Sequence, residues 1–347
     1  MHFGTRDAPL KRMVPKSGSY KIIWAVDALT NPEGLHTQTA ELVGALASQR
    51  EATVQPVYVL TPSESVDNDL DQDPMFVRYE QNAHEALEKA LESALNQRQG
   101  MPILAKRLPA RVLVQATSSI HATVATLSNF AVSEGADLIV VSTHAREGLS
   151  RLFLGSFTET LLLSSRIPVW VVNPSTRKIE RFTEIIYPTD FSFYSRGVFR
   201  RVVQMARELG AKMTLFHAVP HPIEPVFQSG VYMLGGGALP LLPYHNDAVH
   251  YQMKHAERWA RWAEARGVQV KTNVQDEPEN IATTIAKLAQ DHQASMIAME
   301  THSGPVVSAL VGSITRQVVR HADCPVWVLN TRVEASHSGL TEPGKAA

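Results

Sequence analysis

The sequence is poor in cysteine: Cys324 is the one thiol in 347 residues. A single cysteine excludes an internal disulfide and any cysteine-rich zinc cluster, and it permits a reducing compartment. Long apolar runs are missing too. No stretch approaches the ~18–20 consecutive apolar residues of a membrane-spanning helix. The opening residues, MHFGTRDAPLKRMVPKSGSY, hold no run of signal-peptide length. The expected setting is cytoplasmic, with no membrane contact. An excess of charge is also absent, since 33 basic residues face 34 acidic ones. Such a balance offers no overall attraction for nucleic acid. The signatures G-x-x-x-x-G-K-[ST], H-E-x-x-H and G-x-S-x-G do not occur. None of the 14 histidines stands at a metal-ligand spacing from a cysteine or carboxylate partner. No catalytic residue and no metal site are expected.

What the chain does contain is itself, written twice. Thr143-His144 recurs as Thr301-His302, Gly155-Ser156 as Gly312-Ser313, and Pro168-Val-Trp-Val171 as Pro325-Val-Trp-Val328. Upstream, Lys21-IIWAVD is matched by Glu184-IIYPTD. The spacing of these landmarks makes the loop before Gly312 one residue shorter than the loop before Gly155. Four landmarks in one order indicate a tandem duplication of a domain-sized unit. The expected layout is a tail over 1–19, a domain over 20–174, a linker over 175–182, a second domain over 183–330, and a tail over 331–347.

Within each copy, short β-branched runs alternate with helical patterns. The first copy reads as strands at 22–26, 54–60, 110–116, 137–142 and 167–172, with helices near 36–50, 79–99, 119–134 and from Ser156. The second reads as EIIYPTD, KMTLFHAV, VQVKTNV, SMIAME and PVWVLN, with helices at 195–209, 246–266, 279–291 and 313–321. Continuous apolar strands separated by helices predict parallel strands buried on both faces. The fold class is therefore α/β: two Rossmann-like domains, each a mainly parallel five-stranded sheet with helices on both faces. Residues 230–245, GVYMLGGGALPLLPYH, fit neither a strand nor a membrane helix. They read as an irregular loop packed on the other domain, or as a mobile lid or docking patch.

Ligands of open parallel sheets bind beyond the carboxyl ends of the strands. That rule selects Asp27 and Asp190 after each first strand, and Ser142-Thr143-His144-Ala145 and Glu300-Thr301-His302-Ser303 after each fourth. Each of the latter leads to Gly-Ser at a helix start, where unpaired N–H groups suit phosphate; Ser156 and Ser313 also read as plain N-caps. His144 and His302 lack a legible nucleophile or orienting acid and read as loop residues. His217 reads as structural and Cys324 as inert core.

These residues resemble the universal stress protein family over roughly 20–174 and 183–330. The closest passages are PTDFSFYS, Pro188 to Ser195, and THAREGLSRLFLGS, Thr143 to Ser156. The resemblance implies that Asp27 meets adenine, that Val59 lines it, and that a loop of pattern Gly-x2-Gly-x9-Gly-Ser/Thr holds the phosphates. In the first copy Ser142 and Ala145 replace the first two glycines, while Gly155 and Ser156 fit; Thr143 and Phe157 complete the set, and Arg146 lies alongside. In the second copy Asp190, Thr301, Gly312 and Ser313 are the matching residues. There the loop is short, and Glu300 is expected to point its carboxylate at the phosphate position, repelling phosphate by roughly a few kcal/mol. The ligand implied for domain 1 is ATP or another adenine nucleotide, with Mg accompanying it. Self-association through the terminal strands is implied as well, here as an internal pairing of domain 1 with domain 2. Two further readings stay open: a nucleotide-free interaction scaffold, and a slow ATP hydrolase for which no general base is legible.

Overall fold

The protein is seen here as a computed structural model that describes residues 19–28, 35–61, 74–96, 106–143, 155–192, 195–219, 241–276, 278, 280–301 and 311–330. Domain 1 contributes β1 (Lys21–Ala25), α1 (Leu35–Arg50), β2 (Thr53–Leu60), α2 (Pro74–Asn96), β3 (Arg111–Val114), α3 (Ile120–Ser133), β4 (Leu138–Ser142), α4 (Ser156–Ser164) and β5 (Val169–Val172). Domain 2 repeats the order with β6 (Glu184–Pro188), α5 (Ser195–Leu209), β7 (Lys212–Val219), α6 (Leu241–Glu264), β8 (Val270–Asp276), α7 (Ile281–Asp291), β9 (Met296–Glu300), α8 (Ser313–His321) and β10 (Val326–Leu329).

All strands join one ten-stranded sheet in the order β3-β2-β1-β4-β5-β10-β9-β6-β7-β8. Pairing is parallel within each domain, and the single antiparallel junction is β5 with β10, where Trp170 faces Trp327. The inner strands are buried on both faces, which is why β4, β5, β9 and β10 read as unbroken apolar runs. Helices cover both sides: α1 contacts α2 and α5, with α6 against α5, while α3 packs on α4 and α7 on α8. Helix α5 shows the underlying pattern, burying Val198, Val202, Ala206 and Leu209 on one stripe.

The segment that follows β5 is stitched to both domains. The Asn173 amide donates to the carbonyls of Val319 and Ala322 at 2.7 and 2.9 Å, satisfying the end of α8. Gln49 of α1 accepts from the Phe182 amide at 2.9 Å and donates to the carbonyls of Phe182 and Leu209. Cys324 is fully buried, and burial pushes its thiol up to about 12, so it stays protonated.

Two helices start earlier than their periodicity predicts. Helix α2 opens at Pro74, a residue suited to a first helical turn. Helix α6 takes in residues 241–245, which the sequence places in an irregular loop. A proline at 243 is tolerated because first-turn amides need no helical acceptor. Residues 230–240, and nearly all of both tails, lie outside the described residues.

Candidate functional site at the carboxyl ends of the strands

The register of β1 with its neighbours builds the first site. Ala25 pairs with Val57 on β2 and with Val141 on β4. Continued two residues past the end of β1, that register sets Asp27 opposite Val59 on one side and Thr143 on the other. Asp27 and Val59 are both partly buried. The Tyr58 phenol lies nearby; burial first, and the Asp27 charge second, push it up to about 12. Sequence reasoning passed over this tyrosine because its signal was that of an ordinary strand residue.

Ser142 ends β4 with its hydroxyl 2.9 Å from Thr39 Oγ1 of α1. Thr39 donates its one proton to the Leu35 carbonyl at 2.8 Å. Ser142 is therefore the donor to Thr39, and its side chain is engaged with α1. The Thr143 amide donates to the Val172 carbonyl at 2.8 Å, anchoring the loop's first residue to β5. His144, Ala145 and Arg146 lie outside the described residues.

The far end of the loop re-emerges at Gly155. The helices start at Ser156 and Ser313 as the sequence pattern predicts, but the alternative reading of these serines as N-caps does not hold. Gly155 and Gly312 are the caps, at φ −54° and −53°, with no side-chain cap hydrogen bond, and the serines are the first helical residues. Gly155 and Ser156 are exposed, and Phe157 packs its ring partly against the core. A side-chain methyl built on Gly155 would meet nothing within 4 Å. The equivalent atom on Gly312 would lie 3.4 Å from the Thr301 carbonyl oxygen. That same carbonyl accepts from the Gly312 amide at 3.0 Å, a bond with no counterpart between Gly155 and Thr143 among the described residues. Among the described residues, this bond ties the two ends of the loop together in domain 2 only.

The second site has the same layout, with Asp190 opposite Ala218 and Thr301 by continuing the β6 register. Its chemistry differs. Asp190 Oδ1 accepts from the Ser192 amide at 2.9 Å and from the Ser195 hydroxyl at 2.7 Å. Thr301 is buried, and Ser313 is exposed at the start of α8. His217 ends up beside Asp190, its ring 4.9 Å from Phe191 and its Nδ1 2.7 Å from the Thr189 carbonyl. Burial lowers its pKa, which keeps the ring neutral and supports the structural role read from sequence. Phe191 itself sits at φ +55°, between His217 and Trp259 of α6.

Glu300 is a second correction. Sequence set its carboxylate facing the phosphate position, as a repelling charge. The structure instead buries it, with 6% of the residue exposed, between Tyr187 of β6 and Ser195 of α5. Burial, and then the nearby Asp190 charge, push its pKa up to about 8 despite the hydrogen bonds it receives. The apolar run SMIAME gave the only hint, a glutamate ending a strand whose other residues are all buried.

Among the described residues no group of three or more His, Cys, Asp or Glu side chains could hold a metal ion, and no helix is long and apolar enough to cross a membrane.

Comparison with known proteins accords with this geometry. The model of the universal stress protein family matches residues 20–173 and again 181–330. A universal stress protein from Archaeoglobus fulgidus DSM 4304 has a similar structure, with a TM-score of 0.58 and 15% identity, covering 89% of this chain and 96% of that one. A protein of unknown function from Pseudomonas aeruginosa PAO1 gives a TM-score of 0.55 at 16% identity, covering 93% and 97%. At such identities the likeness speaks to fold alone. No curated protein sequence matches this one.

Proposed function

The chain belongs to the universal stress protein family, as a tandem of two family domains, and from that membership we propose a stress-response binding protein of the cytoplasm that holds ATP or another adenine nucleotide in domain 1. Asp27 meets the base beside Val59. Thr143 and the backbone around it take the ribose. The N–H groups at Gly155, Ser156 and Phe157 receive the phosphates, where unpaired amides and the positive end of α4 favour an anion. Mg accompanies a bound triphosphate. Ala145 belongs to the same loop.

One observation carries the assignment to domain 1. Among the described residues nothing lies against Gly155 at the start of α4, whereas in domain 2 the Gly312 amide is already spent on the Thr301 carbonyl. Domain 2 is accordingly read as a nucleotide-free module, a reading favoured by the engagement of Asp190 with its own chain. Its candidate residues Asp190, Thr301, Gly312 and Ser313 then support structure and partner contacts.

The test is direct. The purified chain is denatured and its supernatant is analysed for adenine nucleotide; in parallel its melting temperature is followed in Mg-ATP. Release of a nucleotide, or a rise in melting temperature that Asp27→Ala abolishes, is expected, since a ligand of the native state stabilises it by mass action. An empty protein with an unchanged melting temperature in millimolar Mg-ATP would overturn the proposal.

A further inference from the structure

Buried hydrogen bonds can be checked by counting protons, and the cluster around Glu300 does not balance with Glu300 ionised. Ser195 Oγ lies 2.7 Å from Asp190 Oδ1, 2.9 Å from Glu300 Oε2 and 3.0 Å from Ser192 Oγ. A serine hydroxyl carries one proton and accepts through two lone pairs. It can donate to one of the two carboxyl groups only. The contact to the other needs a proton on the acid itself.

Asp190 is the poorer choice for that proton. It is partly exposed, and its Oδ1 already accepts from the Ser192 amide at 2.9 Å. Glu300 is enclosed, and its other oxygen accepts from the Tyr187 hydroxyl. With a proton on Glu300 Oε2 each contact to a carboxyl oxygen has its own donor, and the Tyr187 proton goes to Glu300 rather than to the Ser195 carbonyl 3.2 Å away. Glu300 donates to Ser195, Ser195 donates to Asp190, Ser192 donates to the remaining lone pair of Ser195, and Tyr187 donates to Glu300 Oε1.

We propose that Glu300 is a protonation-controlled latch: as a neutral acid it ties the first residue of α5 to the ends of β6 and β9 and keeps Asp190 engaged by its own chain, and on ionising it releases both. Once Glu300 is charged, two carboxylates compete for the single Ser195 proton inside a buried space. Repulsion between them then favours parting α5 from the sheet. The latch is specific to domain 2. In domain 1 the matching positions are Trp24 and Ser142, and Ser142 donates to an uncharged Thr39. It does not depend on nucleotide in domain 1, and each can fail without the other.

Among the described residues, no cation is one of the groups that act on Glu300. From β6 these are Tyr187, whose phenol burial pushes well above its ordinary range, and Asp190 just beyond the strand. From α5 comes the neutral Ser195, with Arg196 next along the helix. From β7, His217 faces Asp190. From α8, Thr315 donates only to the Glu300 backbone carbonyl, at 2.8 Å, and β10 offers the Leu329 carbonyl to the Thr301 amide.

The sign of the effect follows from where the proton sits. An unfolded glutamate ionises near 4.5, and the folded one near 8. Between these values the folded state holds a proton that the unfolded state has lost, so rising pH destabilises the fold, and above 8 the loss levels off. Glu300→Gln keeps one donor and one acceptor but cannot ionise. The ratio of its folding constant to that of the natural chain should rise about tenfold per pH unit from roughly 5 to 8, then flatten. Hydrogen exchange at residues 195–199 should accelerate beyond the intrinsic pH effect between pH 7 and 9 in the natural chain, and only by the intrinsic effect in Glu300→Gln. A third readout needs no variant: the infrared band of a protonated, buried carboxyl group should be present at pH 6 and vanish as pH passes 8. Its absence at pH 6, or a Gln-to-Glu stability ratio independent of pH, would overturn the latch.

Discussion

Trp170 of β5 lies directly opposite Trp327 of β10, and the pair forms the centre of the one antiparallel junction in the sheet. Both are buried to within 1% of full enclosure. The Trp170 indole N–H points at Met296 Sδ of domain 2, 3.2 Å away, and its ring lies 5.2 Å from Phe182. Two strands that would be exposed edges in separate domains cover each other here. Trp170→Ala should cost about 3–5 kcal/mol, as large aromatic truncations in a core do. Denaturant unfolding should change from one transition to two as the domains uncouple. A single transition of unchanged midpoint would show that the junction does not couple them.

Asn173→Ala tests the hold that the end of β5 has on α8. It removes the donor for two carbonyls that are already at a helix end, those of Val319 and Ala322. Leaving such buried acceptors unpaired costs about 1–3 kcal/mol. Urea unfolding should show that loss with an unchanged m-value.

Gly155→Ala separates ligand binding from folding. The backbone there is at an ordinary negative φ, and among the described residues an added methyl meets nothing within 4 Å. Stability without ligand should shift by no more than ~0.5 kcal/mol. Binding of Mg-ATP should weaken, because the methyl enters the space assigned to phosphate. Calorimetry on both proteins gives both numbers. Equal affinity would move the phosphates away from Gly155.

Tyr58 provides a pH test of the first site. Its phenol is held up to about 12 by burial and by Asp27. A folded-state pKa above the unfolded value near 10 makes its contribution to stability complete below pH 10 and lost between 10 and 12. Asp27→Asn removes the charge and should bring the Tyr58 titration to lower pH, as followed by NMR of its ring. A titration that does not move would place Asp27 away from Tyr58.

The duplication and the alternation of strands and helices within each copy could be read from sequence because each rests on local pattern. Apolar runs such as LIVVS and MIAME can only be strands buried on both faces, and Gly-Ser after a variable loop marks a helix start. Glu300 could not be read in that way. Its motif position set it among phosphate ligands, while its orientation depends on Tyr187 and Ser195, each more than 100 residues away in the chain. Ser156 and Ser313 open their helices as the pattern predicts, but serine's propensity for the N-cap goes unused, since the preceding glycine holds that position in both domains. Such outcomes are set by tertiary contacts that no window of sequence contains.

The central claim is the proposal that two copies of one domain carry unequal sites, with nucleotide held in domain 1 alone. Titration calorimetry of the full chain with Mg-ATP, repeated on Asp27→Ala and on Asp190→Ala, tests it most directly. The account predicts one nucleotide per chain, lost in Asp27→Ala and retained in Asp190→Ala. Two nucleotides per chain, or a single one lost with Asp190 and kept without Asp27, would contradict it.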